Sequence, residues 1–193
     1  MNKTILYIGG FELPLGNAAA KRAIANTRIL EKLGYNVILL GIDKNKKYTS
    51  EIEVFKHDDI TCHVTGYPHS IKEWLRYIYC IRNFRKIADR IDNLSTIICY
   101  NYQSLAYNRI RRFCQKRGIR IIGDISEWDC SYEGNLLFKI MKILDTAYRM
   151  YIVNKRVDSL IVSSRFLSNF YKSIKHIIVP TLLLRENQNY QIN

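Results

Sequence analysis

The stretch Thr4-Ile-Leu-Tyr-Ile-Gly-Gly10 decides the fold: a short apolar run that ends in glycines. Residues 17–33 follow with helical spacing, placing Ala23, Thr27, Leu30 and Leu33 on one side, with Asn17 as N-cap and Gly34 as C-terminal stop. Next comes Tyr35-Asn-Val-Ile-Leu-Leu-Gly-Ile42, almost continuously apolar. Such a run suits a strand of a parallel sheet covered on both faces. Strand, helix and strand in this order form the unit from which parallel sheets are built.

The alternation continues along the chain. Residues 52–67 predict short strands around Asp58-Asp59, 70–92 a long helix, 96–100 a strand, 103–117 a helix and 120–125 a strand. Residues 135–156 predict one long amphipathic helix with Leu137, Ile140, Met141, Leu144, Tyr148 and Ile152 inward. A strand at 159–163, a short helix at 165–173 and a strand at 176–179 complete the pattern. The expectation is a Rossmann-like, doubly wound parallel α/β sheet of about seven strands. Residues 1–184 form a single domain, and 185–193 are a polar tail or the start of a linker.

Composition narrows the class. Apolar residues make up 48% and charged residues 24% of the 193, which excludes a disordered chain. Thirty Lys and Arg against 17 Asp and Glu give +13, so an anionic partner is expected. The five cysteines, Cys62, Cys80, Cys99, Cys114 and Cys130, show no CxxC or Cys/His cluster. Reduced thiols in a cytoplasmic protein are the reading, without a zinc site. No signal-peptide pattern or membrane-length apolar run occurs, so any membrane contact is peripheral, on the inner face.

The basic charge is concentrated. Residues 103–120 carry Arg109, Arg111, Arg112, Lys116, Arg117 and Arg120 and no acid. The 70–92 segment sets Trp74, Tyr77 and Tyr79 beside Arg76, Arg82, Arg85, Lys86 and Arg90. Aromatic and basic residues together suit an anionic membrane surface. A solvated face is the plainer reading, and no nucleic-acid-binding motif accompanies the charge.

In open α/β sheets ligands bind beyond the carboxyl ends of the strands, which selects four segments. The first, Gly9-Gly-Phe-Glu-Leu-Pro-Leu-Gly-Asn17, leads into a helix start that favours anions, with Lys21 and Arg22 adding charge. It is neither GxGxxG nor a Walker A loop. The second, Asp124-Ile-Ser-Glu-Trp-Asp129, offers carboxylates for sugar hydroxyls or acid–base work, against a plain reading of capping and solvation. Ser163-Ser-Arg-Phe166 and Cys99-Tyr-Asn-Tyr102 are the others, and Ser164 is also an ordinary N-cap. Cys130 reads as a packed cysteine rather than a reactive thiol. Tyr151 and Lys155 have the YxxxK spacing of short-chain dehydrogenases, but Tyr151 falls on the expected inward stripe and the glycine-rich dinucleotide loop is missing.

At these segments the chain resembles the amino-terminal, acceptor-side domain of GT-B glycosyltransferases of the family-four type. Three stretches carry the resemblance: Pro14-Leu-Gly-Asn-Ala-Ala-Ala-Lys-Arg22 with Leu30-Glu-Lys-Leu-Gly-Tyr-Asn-Val37, then Asp124-Ile-Ser-Glu-Trp128, and last Asp158-Ser-Leu-Ile-Val-Ser-Ser-Arg-Phe-Leu167 with Ile178-Val-Pro180. Tyr35 stands where the family commonly has His, and Gly16-Asn17 replaces a Gly-Gly pair. The resemblance implies a retaining transferase that moves a sugar from a nucleotide-sugar donor to a glycan or lipid-linked acceptor, with no metal or other cofactor. It implies that Gly16, Asn17 and Arg22 face the donor diphosphate, and that Asp124 and Glu127 are the catalytic carboxylates at the transferred sugar or acceptor hydroxyl. Trp128, Tyr100, Ser164 and Arg165 would contact acceptor or sugar. The family's E-x7-E donor motif is missing, since no two glutamates stand eight positions apart. The expected partner is therefore a carboxy-terminal GT-B domain in cis or in trans, and the chain alone is expected to be inactive. The competing readings are a non-catalytic module that recruits an acceptor lipid or a partner protein, and a basic nucleic-acid-binding protein.

Overall fold

The computed structural model describes residues 3–49, 51–128 and 136–180. The expected tail at 185–193 and Cys130 lie outside them. The described strands are β1 (Thr4–Glu12), β2 (Asn36–Lys47), β3 (Glu53–His57), β4 (Ile60–Tyr67), β5 (Leu94–Tyr100), β6 (Arg120–Ile125), β7 (Ser159–Val162) and β8 (His176–Ile178). They form one sheet in the order β3-β4-β2-β1-β5-β6-β7-β8. Every pair is parallel except the β3–β4 hairpin, so the sheet has one more strand than expected, and one edge is antiparallel. The hairpin turns at Asp58 and Asp59 with φ of 46° and 68°. Two successive left-handed residues twist with the strands they join, and aspartate tolerates that conformation.

The unbroken apolar character of the central strands follows from their two covered faces. Ile5 and Tyr7 of β1 pack with Ala20, Ala23 and Ile24 of α1 (Ala18–Lys32). Leu6 and Ile8 point the other way, into a core shared with α3 (Arg82–Ala88) and α4 (Ser104–Arg117). Asn17 caps α1 by accepting from the Ala20 amide at 2.8 Å. Gly34 closes the α1–β2 turn at φ 87°, where a side chain would be strained.

Two helical expectations change. The 70–92 segment is two helices, α2 (Ile71–Tyr79) and α3, separated by an extended Cys80. The break lets Ile81 enter the core beside Phe84. In place of one helix over 135–156, residues 136–156 run as α5 (Leu136–Tyr148), a π turn (Arg149–Val153) and a 3-10 turn (Asn154–Arg156). Part of the expected inward stripe is turned outward: Ile140 is 46% exposed and Leu144 64%, as is Tyr151 at 50%, whereas Met141 and Ile152 are half-buried and Tyr148 packs against the core. Tyr151 is thus no core residue. Amphipathicity gives a helix its two faces but not which of them a cleft will take. Here the cleft takes Met141, Asp145, Thr146 and Arg149. The π turn then shifts the phase so that Met150 and Val153 reach the core.

One glycine is fixed by close approach. Gly66 of β4 pairs with Asp43 beside the register shift in β2, and a Cβ there would collide with the Lys47 carbonyl. Gly66→Ala is expected to cost about 1–3 kcal/mol in urea melts, the usual range for overpacking. Gly10→Ala, whose Cβ meets nothing within 4 Å, should leave the midpoint in place. Equal midpoints for both variants would show that β2 yields freely at its bulge.

Candidate active site

The order of the strands reverses between β1 and β5. The chain first builds β2 and β4 on one side of β1, then crosses to build β5 through β8 on the other. A reversal of this kind opens a crevice beyond the carboxyl ends of the strands. A cleft of about 360 Å³ lies there. It is lined by Asn17 at the start of α1, by Tyr100 at the end of β5 and by Asn101 just after it. Tyr67, the α2 residues Trp74 and Tyr77, and Phe138 line it with aromatic rings, and Lys142 and Arg149 line it with charge. Trp74 sits edge-on to Tyr67, Tyr77 and Phe138, at centroid distances of 5.2, 5.7 and 5.4 Å. Aromatic rings together with polar groups suit a ligand with an apolar face and hydroxyls.

Glu127 is exposed and lines this cleft. Asp124 is placed differently. It is 0% exposed, and Arg22 is 2% exposed. Arg22 Nη2 meets Asp124 Oδ1 at 2.8 Å, and Nε lies 3.3 Å from both carboxylate oxygens. The Tyr7 hydroxyl also donates to Asp124, as does Asn26 Nδ2 at 3.3 Å. Arg22 Nη1 donates to the carbonyls of Val179 and Pro180 at 3.2 and 3.3 Å. Burial works against the Arg22 charge, but hydrogen bonding to Asp124 and the charge of Asp124 hold its pKa above the ordinary value. Burial, and then the Asp124 charge, push the Tyr7 hydroxyl well above the ordinary tyrosine range. The expectation that Asp124 faces a sugar and Arg22 a diphosphate therefore does not match this geometry. The two groups satisfy each other inside the protein and tie α1, β1 and β6 to the chain after β8.

The glycine loop is compact. The Gly16 amide donates to the Glu12 carbonyl at 2.8 Å, and the Asn17 carboxamide oxygen is taken up by the α1 cap. A Cβ on Gly16 would lie 2.8 Å from the Glu12 Cβ, so the tight turn favours glycine. Tyr100 lines the cleft with its hydroxyl 2.7 Å from Ser126 Oγ. Three expected contacts lie elsewhere. Trp128 packs into a separate aromatic cluster with Phe170, Tyr151 and Phe166, with centroids 4.8, 5.6 and 6.1 Å away. Ser164 caps α6 (Arg165–Phe170) by accepting from the Leu167 amide at 3.3 Å, and Arg165 is exposed. The sequence reading missed Trp74, Lys142, Asp145 and Arg149 as cleft residues. Arg149 had one available signal: a basic residue beside the inward apolar stripe of an amphipathic helix.

No family model matches the chain, and no curated protein sequence matches it. Solved structures do. The catalytic domain of starch synthase IV from Arabidopsis thaliana, bound to ADP and acarbose, aligns over 92% of this chain with a TM-score of 0.54 at 9% identity. An α,α-trehalose-phosphate synthase (UDP-forming) from Burkholderia vietnamiensis aligns over 90% with a TM-score of 0.50 at 9% identity. The fold is that of one half of a GT-B glycosyltransferase. The chain spans 52% and 43% of the length of these two neighbours.

Proposed function

We propose that this chain is the acceptor-side half of a retaining, family-four-type glycosyltransferase, and that it works with a second Rossmann-like domain. The observation that supports this most is the cleft at the β1/β5 reversal, with an aromatic wall and an exposed carboxylate, in a fold shared with GT-B enzymes. The donor is a nucleotide sugar whose phosphates approach the Gly16–Asn17 loop at the start of α1. Glu127 meets the acceptor hydroxyl. Tyr100 and Trp74 bear on the acceptor ring. Arg22 and Asp124 act as positioning residues, fixing the loop and the path of the chain at Val179 and Pro180. The test is sugar transfer from a panel of nucleotide sugars to membrane extracts, with the second domain supplied. Glu127→Gln should lower turnover at an unchanged melting temperature. Acceptor binding without turnover under any donor would identify a binding module instead.

The acceptor is delivered at an anionic membrane surface. No described helix is long and apolar enough to cross a membrane. On α2, however, Ile71, Leu75 and Tyr79 are exposed beside Arg76, and Arg109 of α4 stacks on the Tyr79 ring with 3.9 Å from its guanidinium carbon to the centroid. Leu105 and Arg112 extend this face on α4. Each basic group near an anionic bilayer contributes on the order of 1 kcal/mol, screened by salt. Sedimentation with anionic vesicles should show binding that falls with salt and drops at least tenfold for Arg109→Glu with Arg112→Glu. Equal binding to neutral vesicles would remove the membrane from this scheme.

A further inference from the structure

We infer that the cleft contains an anion receptor centred on Arg149, and that the acceptor it takes carries an acid group on a hydroxylated ring. The inference deepens the transferase reading by naming the acceptor's chemical class, and it rests on that reading. Arg149 is 8% exposed and stands where α5 passes into the π turn. Its Nη1 donates to the Asn101 carbonyl at 2.8 Å, which fixes the guanidinium at the end of β5. Its Nε is buried and has no partner among the described residues. No described carboxylate pairs with it.

An arginine keeps its charge under all ordinary conditions, so burial without a counter-ion is costly. The two acids of the same cleft do not offset it. Asp145 accepts from the Ser104 amide and hydroxyl at 2.9 and 2.7 Å, capping α4, and Glu127 is exposed. Lys142, two turns before Arg149 and lining the same cleft, adds a second cation. A ligand anion supplies the missing charge, and the planar guanidinium fork matches a phosphate or a carboxylate.

The hydroxyl requirement comes from Asn101. Its backbone is held at φ 39°, in the left-handed region. Its Nδ2 donates to Ser126 Oγ at 3.0 Å, while its Oδ1 is buried without a partner. A buried, unpaired oxygen accepts from a hydroxyl, and its cost is removed when one arrives. Arg149 and Asn101 together therefore fit an acid and a hydroxyl presented by one ligand.

The experiment is calorimetric titration of the 193-residue chain with glucose, glucose 6-phosphate and glucuronate, in the absence of any nucleotide sugar. At least one charged sugar should bind ten times more tightly than glucose, and the stronger of the two identifies the acid group. Arg149→Gln should bring that affinity down to the level of glucose, and Arg149→Lys should keep part of it. Lys142→Gln, on the helix surface, should weaken it about threefold, so the test survives if Arg149→Gln fails to fold. Lys32→Gln, exposed at the end of α1, should change nothing. Indistinguishable titrations for all three sugars, or unchanged affinity in Arg149→Lys and Lys142→Gln, would overturn the receptor. Binding through Arg149 with no transfer from any donor would instead sink the transferase reading and leave the receptor standing. Transfer to neutral acceptors, unaffected by Arg149→Lys, would do the reverse.

Discussion

Asp124→Ala is expected to destabilise the chain by about 3–5 kcal/mol, the usual loss when one partner of a buried ion pair is removed. The carboxylate receives Arg22 on both of its oxygens, together with the Tyr7 hydroxyl and the Asn26 amide. Without it, Arg22 is a buried cation left with the carbonyls of Val179 and Pro180. It cannot shed its proton, because a guanidinium stays charged under ordinary conditions even when buried. Asp124→Asn keeps the shape and one acceptor, so its loss should be smaller. Replacing both partners by apolar residues, Arg22→Met with Asp124→Leu, should recover much of the stability, since an intact buried pair itself contributes little over well-packed apolar groups. Urea melts of the three variants decide the matter. A loss under about 1 kcal/mol for Asp124→Ala would mean that Arg22 swings out to water. The Tyr7 hydroxyl adds a pH signature. Its folded pKa is raised above the ordinary value, so its contribution is complete below about pH 10 and is lost as pH rises further. Tyr7→Phe should flatten the alkaline slope of stability in part, because Tyr102 and Tyr107 are raised in the same direction by burial.

The local elements were legible because their signals are local. β6 begins and ends where the sequence places it, and Asn17 and Gly34 bound α1 as expected. The Asp58-Asp59 turn was likewise written in two adjacent residues. The buried network was not legible in the same way. Arg22 and Asp124 lie 102 positions apart, and nothing local marks them as partners. A partial signal did exist: Arg22 and Asn26 are four apart, so they share the inner face of α1 with Ala23. Two polar side chains on an inner face call for a buried partner, and a strand-end acid is the natural one. α5 misled for a complementary reason. Its apolar stripe was clear, but the rule that apolar faces turn inward fails where a helix borders a cleft and leaves Leu144 exposed. Arg149 stayed hidden behind that assumption, and Trp128 was drawn toward the site by sequence proximity to Glu127 although its ring packs with Phe170.

Sugar transfer by the polypeptide of residues 1–193 alone is expected to be negligible, with turnover appearing when a second Rossmann-like domain is supplied. The described cleft offers a donor the Gly16–Asn17 loop and the start of α1, and little else that is free. Arg22, expected at the diphosphate, is consumed inside the protein. The E-x7-E spacing has no counterpart in the sequence. Losing even three charge-assisted hydrogen bonds of about 1.5–3 kcal/mol each would weaken donor binding by roughly three to six orders of magnitude. An open cleft also leaves donor carbon and acceptor hydroxyl unaligned, and it admits water to the reacting centre. The measurement is transfer from a nucleotide-sugar panel by the chain alone and by the chain with the added domain. Robust turnover by the chain alone would overturn the two-domain scheme. Within the restored pair, two carboxylate variants separate chemistry from positioning. Glu127→Gln should lower turnover and spare the melting temperature, because Glu127 is exposed on the cleft. Asp124→Asn should lower both, because its carboxylate supports Arg22 from inside the fold. The opposite outcome, with Asp124→Asn inactive yet as stable as the parent, would return Asp124 to the reacting centre and require the Arg22 pair to open during the reaction.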